Sequence, residues 1–537
     1  MYANNMKRKI LIGAALLCAT AGFAQYDEES EKSPLKPFEQ VEYKVEMQGS
    51  FSNGKTPLWL NANKYGLSSL EKNNGYFRAS VIRPLEADEG RKWGLGYGVD
   101  LAVPVNYTSK FIVQQAYVEG RWLHGSLMIG AKEIPMELKN NSLSSGAQTL
   151  GKNARPVPQV RLALHDYWAI PGTKGWLKLK GHIAYGKMTD DNWQHDFTGK
   201  QNPYADDVLF HSKAGYLKIG NEERYFPWSL ELGLEMACTF GGTGYIYDPG
   251  YYAEHGTLMP VKGGTGIKDF FKAFIPGGAE KIEEGTYYQN AEGNHVGSWV
   301  ARINYDAEDW RLSVYADKYF EDHSSMLQLD YDGYGTGENW DVKEKRSYFL
   351  YGFHDWMLGL EYHKKYDSWL NTILFEYLYT KYQSGPIYHD HSPGRPDSHI
   401  CGDDNFYNHY IYTGWQHWGQ VMGNPLYRSP IYNTDGTIEV KDNRFMGFHL
   451  GIDGQPSERF GYKLLATWQE GLGTYMKPYT DKHHNFSFLL EGNYKFITDK
   501  KWLDGTSIRA GYAMDFGAIL GGTNYGFQLT IAKSGIF

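Results

Sequence analysis

The feature that most constrains this chain is an alternation of apolar residues with polar or small ones. It recurs in segments of about eight to twelve residues, which Gly, Asn, Asp and Pro clusters separate. In the segment 93–103, for example, large apolar residues occupy the odd positions, and Gly, Asp and Ala occupy the even ones. Because successive side chains of a strand point to opposite faces, each segment predicts a strand with one apolar face. Other clear examples are 177–185, 230–240, 356–362, 462–468, 486–496 and 508–516.

The N-terminus predicts export. Three basic residues at 7–9 precede the apolar run 10–24, which ends in small residues before Gln25. A charged start, a short apolar core and a small-residue exit are typical of a secretory signal peptide. We therefore expect residues 1–24 to be removed and residues 25–537 to form the mature protein.

Alternation alone also fits a soluble β-sandwich, so the choice of fold class rests on further features. Trp and Tyr rim the apolar faces, and the segments approach the length of roughly ten residues that a tilted strand needs to cross a bilayer. The mean hydropathy of -0.54 argues against a helical membrane protein. We predict an all-β fold, a large antiparallel transmembrane β-barrel of roughly 16 to 18 strands with long loops and few short helices.

The C-terminus strengthens this prediction. The odd positions of one final segment are aromatic or aliphatic, and the chain ends in Phe: Tyr525, Phe527, Leu529, Ile531 and Phe537. Such an ending resembles the signal read by outer-membrane barrel assembly machinery, so we expect that machinery and outer-membrane lipid as partners. Lys533 falls on the same face, and its amine must therefore reach an interface.

Three segments interrupt the strand pattern. Residues 269–274 predict a short helix that ends before Pro276. Residues 137–158 form a polar loop, and residues 382–443 form a long loop rich in aromatic residues, His, Asn and Pro. A loop of that length is usually functional or disordered, and its many aromatic rings favour order and a position where it can occlude the lumen.

Several functions receive little support from the sequence. The net charge of -8 argues against a nucleic-acid partner. Residues 49–56 match the phosphate-loop pattern GxxxxGK[ST], but Pro57 follows and no capped helix begins there, so we expect no nucleotide site. No GxSxG motif is present, and we expect no catalytic residue and no cofactor.

A metal site is also considered and not predicted. The loop 382–443 contains a cluster of possible ligands: His389, Asp390, His391, His399, Cys401, Asp403 and Asp404. Their order matches no defensible ligand spacing, and neighbouring Pro and Gly residues indicate an exposed polar loop. Whether Cys401 pairs with Cys238 in an oxidising compartment stays open.

One constellation fits carbohydrate. Sugars present apolar CH faces beside many hydroxyl groups, so their sites combine flat rings with amides and imidazoles. The long loop supplies both in one stretch: Tyr407, Asn408, His409, Tyr410, Trp415, His417, Trp418, Gln420 and Asn424. An equally weighted alternative is that these rings pack the loop into the lumen and bind no ligand.

Three blocks resemble the capsule-assembly Wzi family in its Bacteroidetes-type branch. They are TPLWLNANKYGL at 56–67, NARPVPQVR at 153–161, and YNHY at 407–410 followed by GW and GNPL at 414–415 and 423–426. The resemblance implies an outer-membrane barrel of about 18 strands, closed by inward loops, that holds capsular polysaccharide at the cell surface. It implies periplasmic helices too, but 41–51 and 76–83 read as strands, so we do not expect a substantial N-terminal helical plug.

The predicted function is therefore non-catalytic assembly or surface attachment of capsular polysaccharide. We expect the glycan to contact Tyr407, His409, Tyr410, Trp415, His417, Trp418 and Asn424, with Arg155 and Arg161 reaching lumen carboxylates or an acidic glycan. For Arg155 alone, a structural salt bridge is the favoured expectation. The alternatives are a channel for oligosaccharides or ions and, with the least support, an outer-membrane hydrolase.

Overall fold

The computed structural model describes residues 35–247, 257–275, 293–321, 329–330, 348–349, 354–389 and 399–537. Side chains of 329–330, 348–349, 384–389 and 399–403 are not described. The expected signal peptide lies outside the described residues. The side chains of most of the possible metal-ligand cluster are not described. Cys401, on which the disulfide question depends, is among them.

Eighteen antiparallel strands form one sheet that closes on itself. The first strand pairs with the last, placing Phe51 opposite Phe527, so the sheet has no free edge. The predicted all-β barrel is thus confirmed, with the upper strand number of the expected range. The strands are β1 Glu42–Asn53, β2 Asn73–Arg83, β3 Trp93–Val105, β4 Ile112–Trp122, β5 Gly125–Ala131, β6 Gln159–Ala169, β7 Leu177–Lys187, β8 Leu209–Ile219, β9 Trp228–Phe240, β10 Asn294–Asp306, β11 Trp310–Glu321, β12 Trp356–Lys364, β13 Thr372–Tyr379, β14 Phe445–Ser457, β15 Phe460–Gly473, β16 Pro478–Lys495, β17 Thr506–Gly517 and β18 Asn524–Ile536.

The alternation separates an apolar outer face from a polar lumen. In β3, Val99, Leu101 and Val103 are exposed on the outside, whereas Asp100 and Ala102 are buried on the inside. The same belt runs around the barrel to β18, whose alternate positions are exposed in the same way: Tyr525, Phe527, Leu529 and Ile531. An apolar surface this extended needs a non-aqueous neighbour, and hydrocarbon of a bilayer provides one.

Lys533 interrupts this belt near its edge, and its amine leaves the apolar surface as expected. The Nζ atom donates to the carbonyl oxygen of Lys501 at 3.1 Å and also to that of Asp504. Both acceptors belong to the connection 496–505 after β16. The long side chain therefore carries its charge past the end of the strands to polar backbone.

The two ends of the barrel differ in their connections. At the turn end, which holds both ends of the described chain, strands are joined by short segments such as 123–124 and 458–459. At the opposite loop end, connections such as 54–72, 132–158 and 380–444 are long. In outer-membrane barrels the long loops face outside and the short turns face the periplasm.

Few helices accompany the strands. They are α1 Leu58–Asn61, α2 Trp193–Thr198 and α3 Ile267–Phe274, with single 3₁₀ turns at Leu85–Asp88, Glu222–Arg224 and Pro430–Tyr432. Short strands pair within the loops: Tyr204–Asp206, Thr243–Tyr247 and Leu258–Lys262 in one sheet, then Leu329–Asp330 with Tyr348–Phe349, Ser384–His389 with His399–Asp403, and Gln416–His417 with Gln420–Val421. Among the described residues no helix is both long and apolar enough to cross a membrane.

Helix α3 confirms the short helix predicted at 269–274. It lies against the outer wall near the loop end, where the Phe270 ring contacts Tyr185 and Phe240, both at 5.2 Å between centroids. The Lys213 amine donates to the carbonyl oxygen of Phe274 at the last turn, a favourable place for a cation. The helix therefore covers part of the wall and does not enter the lumen.

Candidate functional site

Three loops from the loop end fold into the barrel and fill its lumen above the turn end. We call residues 54–72, 132–158 and 404–444 together the plug. Their buried apolar residues form one core with inward side chains of β8 to β17, including Phe210, Tyr315 and Leu489. A second cluster joins Leu67 of the plug to β2, β3 and β4. The plug thus packs against wall strands around most of the circumference.

Loop 132–158 is fixed to the wall by hydrogen bonds to buried polar side chains. Glu376 of β13 accepts from the Ser145 amide at 2.8 Å and from the Ser144 hydroxyl at 2.5 Å. His449 of β14 donates from Nε2 to the carbonyl oxygen of Leu143 at 2.7 Å. Inward polar residues of the strands are therefore used to hold the loop, not to line an open pore.

The loop 404–444 lies on loop 132–158. Within loop 404–444, the rings of Tyr407 and Tyr427 stack at 4.0 Å. Between the loops, the Trp415 indole donates to the carbonyl oxygen of Thr149 at 3.1 Å. The Asn424 amide reaches backbone of the same neighbouring loop at 2.8 Å. Tyr407, Trp415 and Asn424 are completely enclosed. The structure gives these predicted glycan contacts a packing role.

His417 and Trp418 join several loops at one point. The two ring nitrogens of His417 lie 2.8 Å from the carbonyl oxygen of Arg155 and 2.6 Å from that of Thr189. Burial lowers the pKa of His417, while the hydrogen bonds to the two carbonyl oxygens oppose that shift. Trp418 has positive φ and presents its ring to the Arg155 guanidinium, whose carbon is 4.1 Å from the ring centroid.

Within the described part of the chain, Arg155 does not form the salt bridge expected of it. Its Nη atoms donate to the hydroxyls of Ser109 and Thr108, at 2.9 and 3.1 Å, in the connection between β3 and β4. Burial lowers the pKa of Arg155 to about 10. The Arg155 side chain lies between the connection 106–111, its own loop 132–158 and the loop 404–444. The partners it finds there are hydroxyl groups and the Trp418 ring, which take the place of a carboxylate.

Tyr410 is the most exposed of the predicted site residues, with 66% of its surface accessible. Its ring stacks on His409 at 4.8 Å, and His409 stacks in turn on buried Tyr412 at 5.5 Å. Burial lowers the pKa of His409 to about 4, so this ladder of rings is uncharged at neutral pH. It ends in a flat aromatic face at the loop end of the barrel.

The nine predicted site residues therefore do not form one open site. Tyr407, Trp415, His417 and Asn424 are buried in the plug, and His409 and Trp418 are partly covered. Tyr410 faces solvent, whereas Arg161 belongs to β6 and faces the lumen. That any of them contacts a glycan stays a prediction, and Tyr410 needs the least rearrangement to do so.

Beneath the plug, the turn end of the lumen is open and polar. A cavity of about 490 Å³, which we call the vestibule, is lined by charged residues of β1 and β14 to β17, by uncharged residues of β18, and roofed by Ser142 of the plug. Its charges are paired: Lys44 with Glu46 at 2.6 Å, and Lys463 with Glu491 at 3.3 Å. The two lysines are 42% and 23% exposed, so water reaches one side of each pair, whereas Glu46 and Glu491 are buried.

Two smaller cavities adjoin each other between loop 132–158 and strands β6 to β8. Their volumes are about 110 and 130 Å³, and both are lined by Arg161, His182 and Tyr216. Sequence reasoning identified Arg161 but missed the other two residues. His182 could have been found from the alternation along β7, where polar residues occupy the inward positions and His182 follows Lys178 and Lys180.

The phosphate-loop match at 49–56 consists of the last residues of β1 and the turn that follows, so it is no nucleotide loop, as its sequence context indicates. Gly54 adopts φ of 87°, and the Lys55 amine lies 3.3 Å from the carbonyl oxygen of Tyr432 in the plug. The helix that follows, α1, is only four residues long and buried. Its Trp59 indole donates to Thr467 at 3.1 Å, so the segment anchors the plug and leaves no phosphate cradle.

Among the side chains the structure describes, no three His, Cys, Asp or Glu residues gather closely enough to hold a metal ion. The predicted loop cluster falls mostly on residues outside that set, and Asp404 is its one fully described member.

Comparisons with known proteins agree with the fold. No family model matches the chain, and no curated protein matches it by sequence. A solved structure described as Wzi, an outer membrane protein involved in group 1 capsule assembly in Escherichia coli and a carbohydrate-binding β-barrel, is similar over 91% of this chain and 83% of that one, with 12% identity and a TM-score of 0.51. At this identity the likeness concerns the fold.

Other similar structures are outer-membrane barrels too. OprD of Pseudomonas aeruginosa aligns over 96% of this chain and all of its own, with 10% identity and a TM-score of 0.44. OmpT of Vibrio cholerae, in a form lacking one loop, aligns over 92% and 98%, with 7% identity and a TM-score of 0.34. The closed 18-stranded sheet and its likeness to the Wzi structure give this chain the fold of outer-membrane β-barrel proteins.

Proposed function

We propose that this protein resides in the outer membrane and holds a surface polysaccharide, as a capsule-assembly or attachment factor without catalytic activity. The observation that carries the proposal is the plug, which occupies the lumen with a packed core. A barrel filled in this way is suited to presenting a surface rather than to passing large solutes. The carbohydrate-binding function named for the Wzi structure is in line with this role.

The membrane location rests on the apolar belt and on the predicted signal peptide 1–24. The terminal strand supports insertion by barrel assembly machinery, since Phe537 is exposed and its ring lies 4.9 Å from Tyr43 of β1. Outer-membrane lipid would cover the belt, and the loop end would then face the cell exterior, where capsular polysaccharide is found.

Tyr410 is the proposed primary contact. Its exposed ring, backed by His409, offers a flat apolar face of the kind on which sugar CH groups stack. The plug residues Tyr407, Trp415, His417, Trp418 and Asn424 would support that platform from below, and Arg155 would fix Trp418.

The test is polysaccharide binding by the purified protein in detergent, using capsule isolated from the source cells. Tyr410→Ala should weaken binding about threefold to tenfold, because one aromatic stacking contact contributes about 0.5–1.5 kcal/mol. The control is Tyr225→Ala, which removes a ring at the turn end that is even more exposed, at 95%. Undiminished binding in Tyr410→Ala would contradict Tyr410 as the contact. Normal capsule retention in a deletion strain would contradict the proposed function.

A small-solute channel is the second candidate. The observation in its favour is that two adjoining cavities along β6 to β8, both lined by Arg161, leave polar space beside the plug. Stable ion conductance of the intact protein in planar bilayers would support the channel, whereas its absence together with polysaccharide binding would support attachment.

A further inference from the structure

The two cavities between loop 132–158 and the wall have an unusual charge balance. Lys132 pairs with Glu119 at 2.6 Å, and Lys180 pairs with Glu137 at 2.9 Å. Arg161, which lines both cavities, has no hydrogen bond or ion pair within the described part of the chain. Glu137 and Glu119 are the carboxylates that act on Arg161 electrostatically, and each of them is paired with a lysine. The guanidinium therefore keeps its own hydrogen-bonding capacity for an anionic guest.

Unpaired polar atoms belong to residues that line the upper of the two cavities, the one nearer the loop end. Buried and without a hydrogen-bond partner are Oε1 of Gln159, Oε2 of Glu235 and Nε of Arg155, and all three residues line this cavity. Leaving a buried donor or acceptor unpaired costs about 1–3 kcal/mol each. Three such atoms beside one cavity make a polar occupant with both donors and acceptors more favourable there than a purely apolar one.

The remaining wall of this cavity is apolar. Phe210, Val157 and Met422 contribute to the lining beside the polar atoms. A mixed lining of this kind suits a compact molecule with a hydrocarbon face and several hydroxyl groups. The volume of about 110 Å³ limits the guest to one small ring rather than a length of polysaccharide chain.

We propose that this cavity, the Arg161 pocket, binds a hydroxylated carboxylate of the sugar-acid class. The carboxylate would pair with the guanidinium of Arg161, and ring hydroxyls would bond Gln159 and Glu235. The lower cavity shares Arg161 and extends toward the turn end, where Ser126 and His165 line it, and the guest would enter from that side. The site is separate from the Tyr410 platform and does not depend on the surface-polysaccharide proposal.

The test is calorimetric titration of the full chain in detergent with sodium glucuronate, with glucose and inorganic phosphate as comparison ligands. Glucuronate should bind at least about tenfold more tightly than either, because only it offers both a carboxylate and hydroxyl groups. Arg161→Gln should weaken glucuronate binding about tenfold or more, and Arg161→Lys should have an intermediate effect because it keeps the charge but loses the planar fork.

Arg311→Gln is the matched control, since Arg311 pairs with Asp306 at the turn end outside the pocket. Heat-dependent migration on a gel verifies that each variant is a folded barrel. A short oligouronate distinguishes two sources of the ligand. If it binds at least as tightly as glucuronate, the natural ligand is the end of an acidic glycan. If it binds much more weakly, the natural ligand is the free sugar acid. No glucuronate binding, equal binding of glucose or phosphate, or unchanged binding in Arg161→Gln would each overturn the proposal and leave water as the occupant.

Discussion

The upper and lower halves of this lumen are lined by the same eighteen strands, yet they are built differently. In the plug half, inward carboxylates such as Glu376 are completely buried and bonded to loop backbone and hydroxyls. In the vestibule half, charged residues such as Lys463 and Arg509 surround a cavity of about 490 Å³. One half is a protein core and the other is a wet cavity.

The difference shows that closure is a property of the loops. Tyr315 and Leu374 face the plug, whereas Glu46 and Glu491 face the vestibule, but all four occupy ordinary inward positions of regular strands. The wall alone is wide enough to enclose an aqueous channel. Whether it does so depends on whether loop segments supply enough apolar surface to fill it.

The largest effect should follow removal of a plug loop. Replacing residues 404–443 with a flexible Gly/Ser linker takes away Trp415, Tyr427 and their contacts with loop 132–158. Ion conductance of single barrels in planar bilayers should rise roughly tenfold or more, because an 18-stranded wall surrounds a wide lumen.

Shortening the turn-end connection 496–505 is the control for that deletion, since it changes chain length without touching the plug. If the loop deletion conducts no better than the intact protein, the remaining loops close the lumen by themselves, and the contrast between the two halves no longer depends on 404–444.

A single side chain should produce the next largest change. Trp415 is fully buried in the plug core, so Trp415→Ala leaves a large cavity and should lower the free energy of unfolding by about 3–5 kcal/mol. Trp502→Ala is the matched control, because Trp502 lies in a turn-end connection with 73% of its surface exposed. Urea denaturation followed by fluorescence of the remaining tryptophans measures both. Equal losses in the two variants would mean that the plug adds no stability.

The wall of the barrel could be predicted from the sequence to a large extent. Period two is a local property, so the outward residues of β3 and β18 were identified without knowing their neighbours. Even the exception, Lys533, was assigned correctly because its distance from the strand end is visible in the sequence.

The site could be predicted far less well. The aromatic and amide composition of 407–424 fits sugar binding and core packing equally, and only tertiary contacts separate the two. Trp415 meets Thr149, a residue far away in sequence, whereas Tyr410 in the same segment meets solvent. The Arg161 pocket was out of reach for the same reason, since its lining comes from four strands and three loops.

A pH effect of intermediate size should come from Asp442, a plug residue that is fully buried. Burial raises its pKa to about 7, although a hydrogen bond from the Gly473 amide opposes the shift. Because the pKa in the folded state exceeds the unfolded value, the folded plug binds the proton more tightly. Its stability should therefore fall by about 2 kcal/mol between pH 5 and pH 8.

Asp442→Asn removes the titrating group while keeping the shape of the side chain. The variant should lose this pH dependence, as measured by the urea midpoint or by protease cleavage of the loop 404–444 at both pH values. A variant with the same slope as the native protein would assign the dependence to other groups, and a native protein that is more stable at pH 8 would contradict the sign.

The smallest effect should come from a charge pair in the vestibule, and the plug offers its counterpart. Lys463 and Glu491 lie 3.3 Å apart with side chains 23% and 9% exposed, while Lys139 and Asp317 lie 3.2 Å apart at 2% and 0%. Distance being equal, burial decides the outcome: water and salt screen the vestibule pair, whereas breaking the plug pair leaves an uncompensated buried charge. A double-mutant cycle with Lys463→Met and Glu491→Gln should give a coupling below about 1 kcal/mol that shrinks in high salt, and Lys139→Met alone should cost about 3–5 kcal/mol. Similar values at the two places would mean that the lower lumen is as dry as the plug.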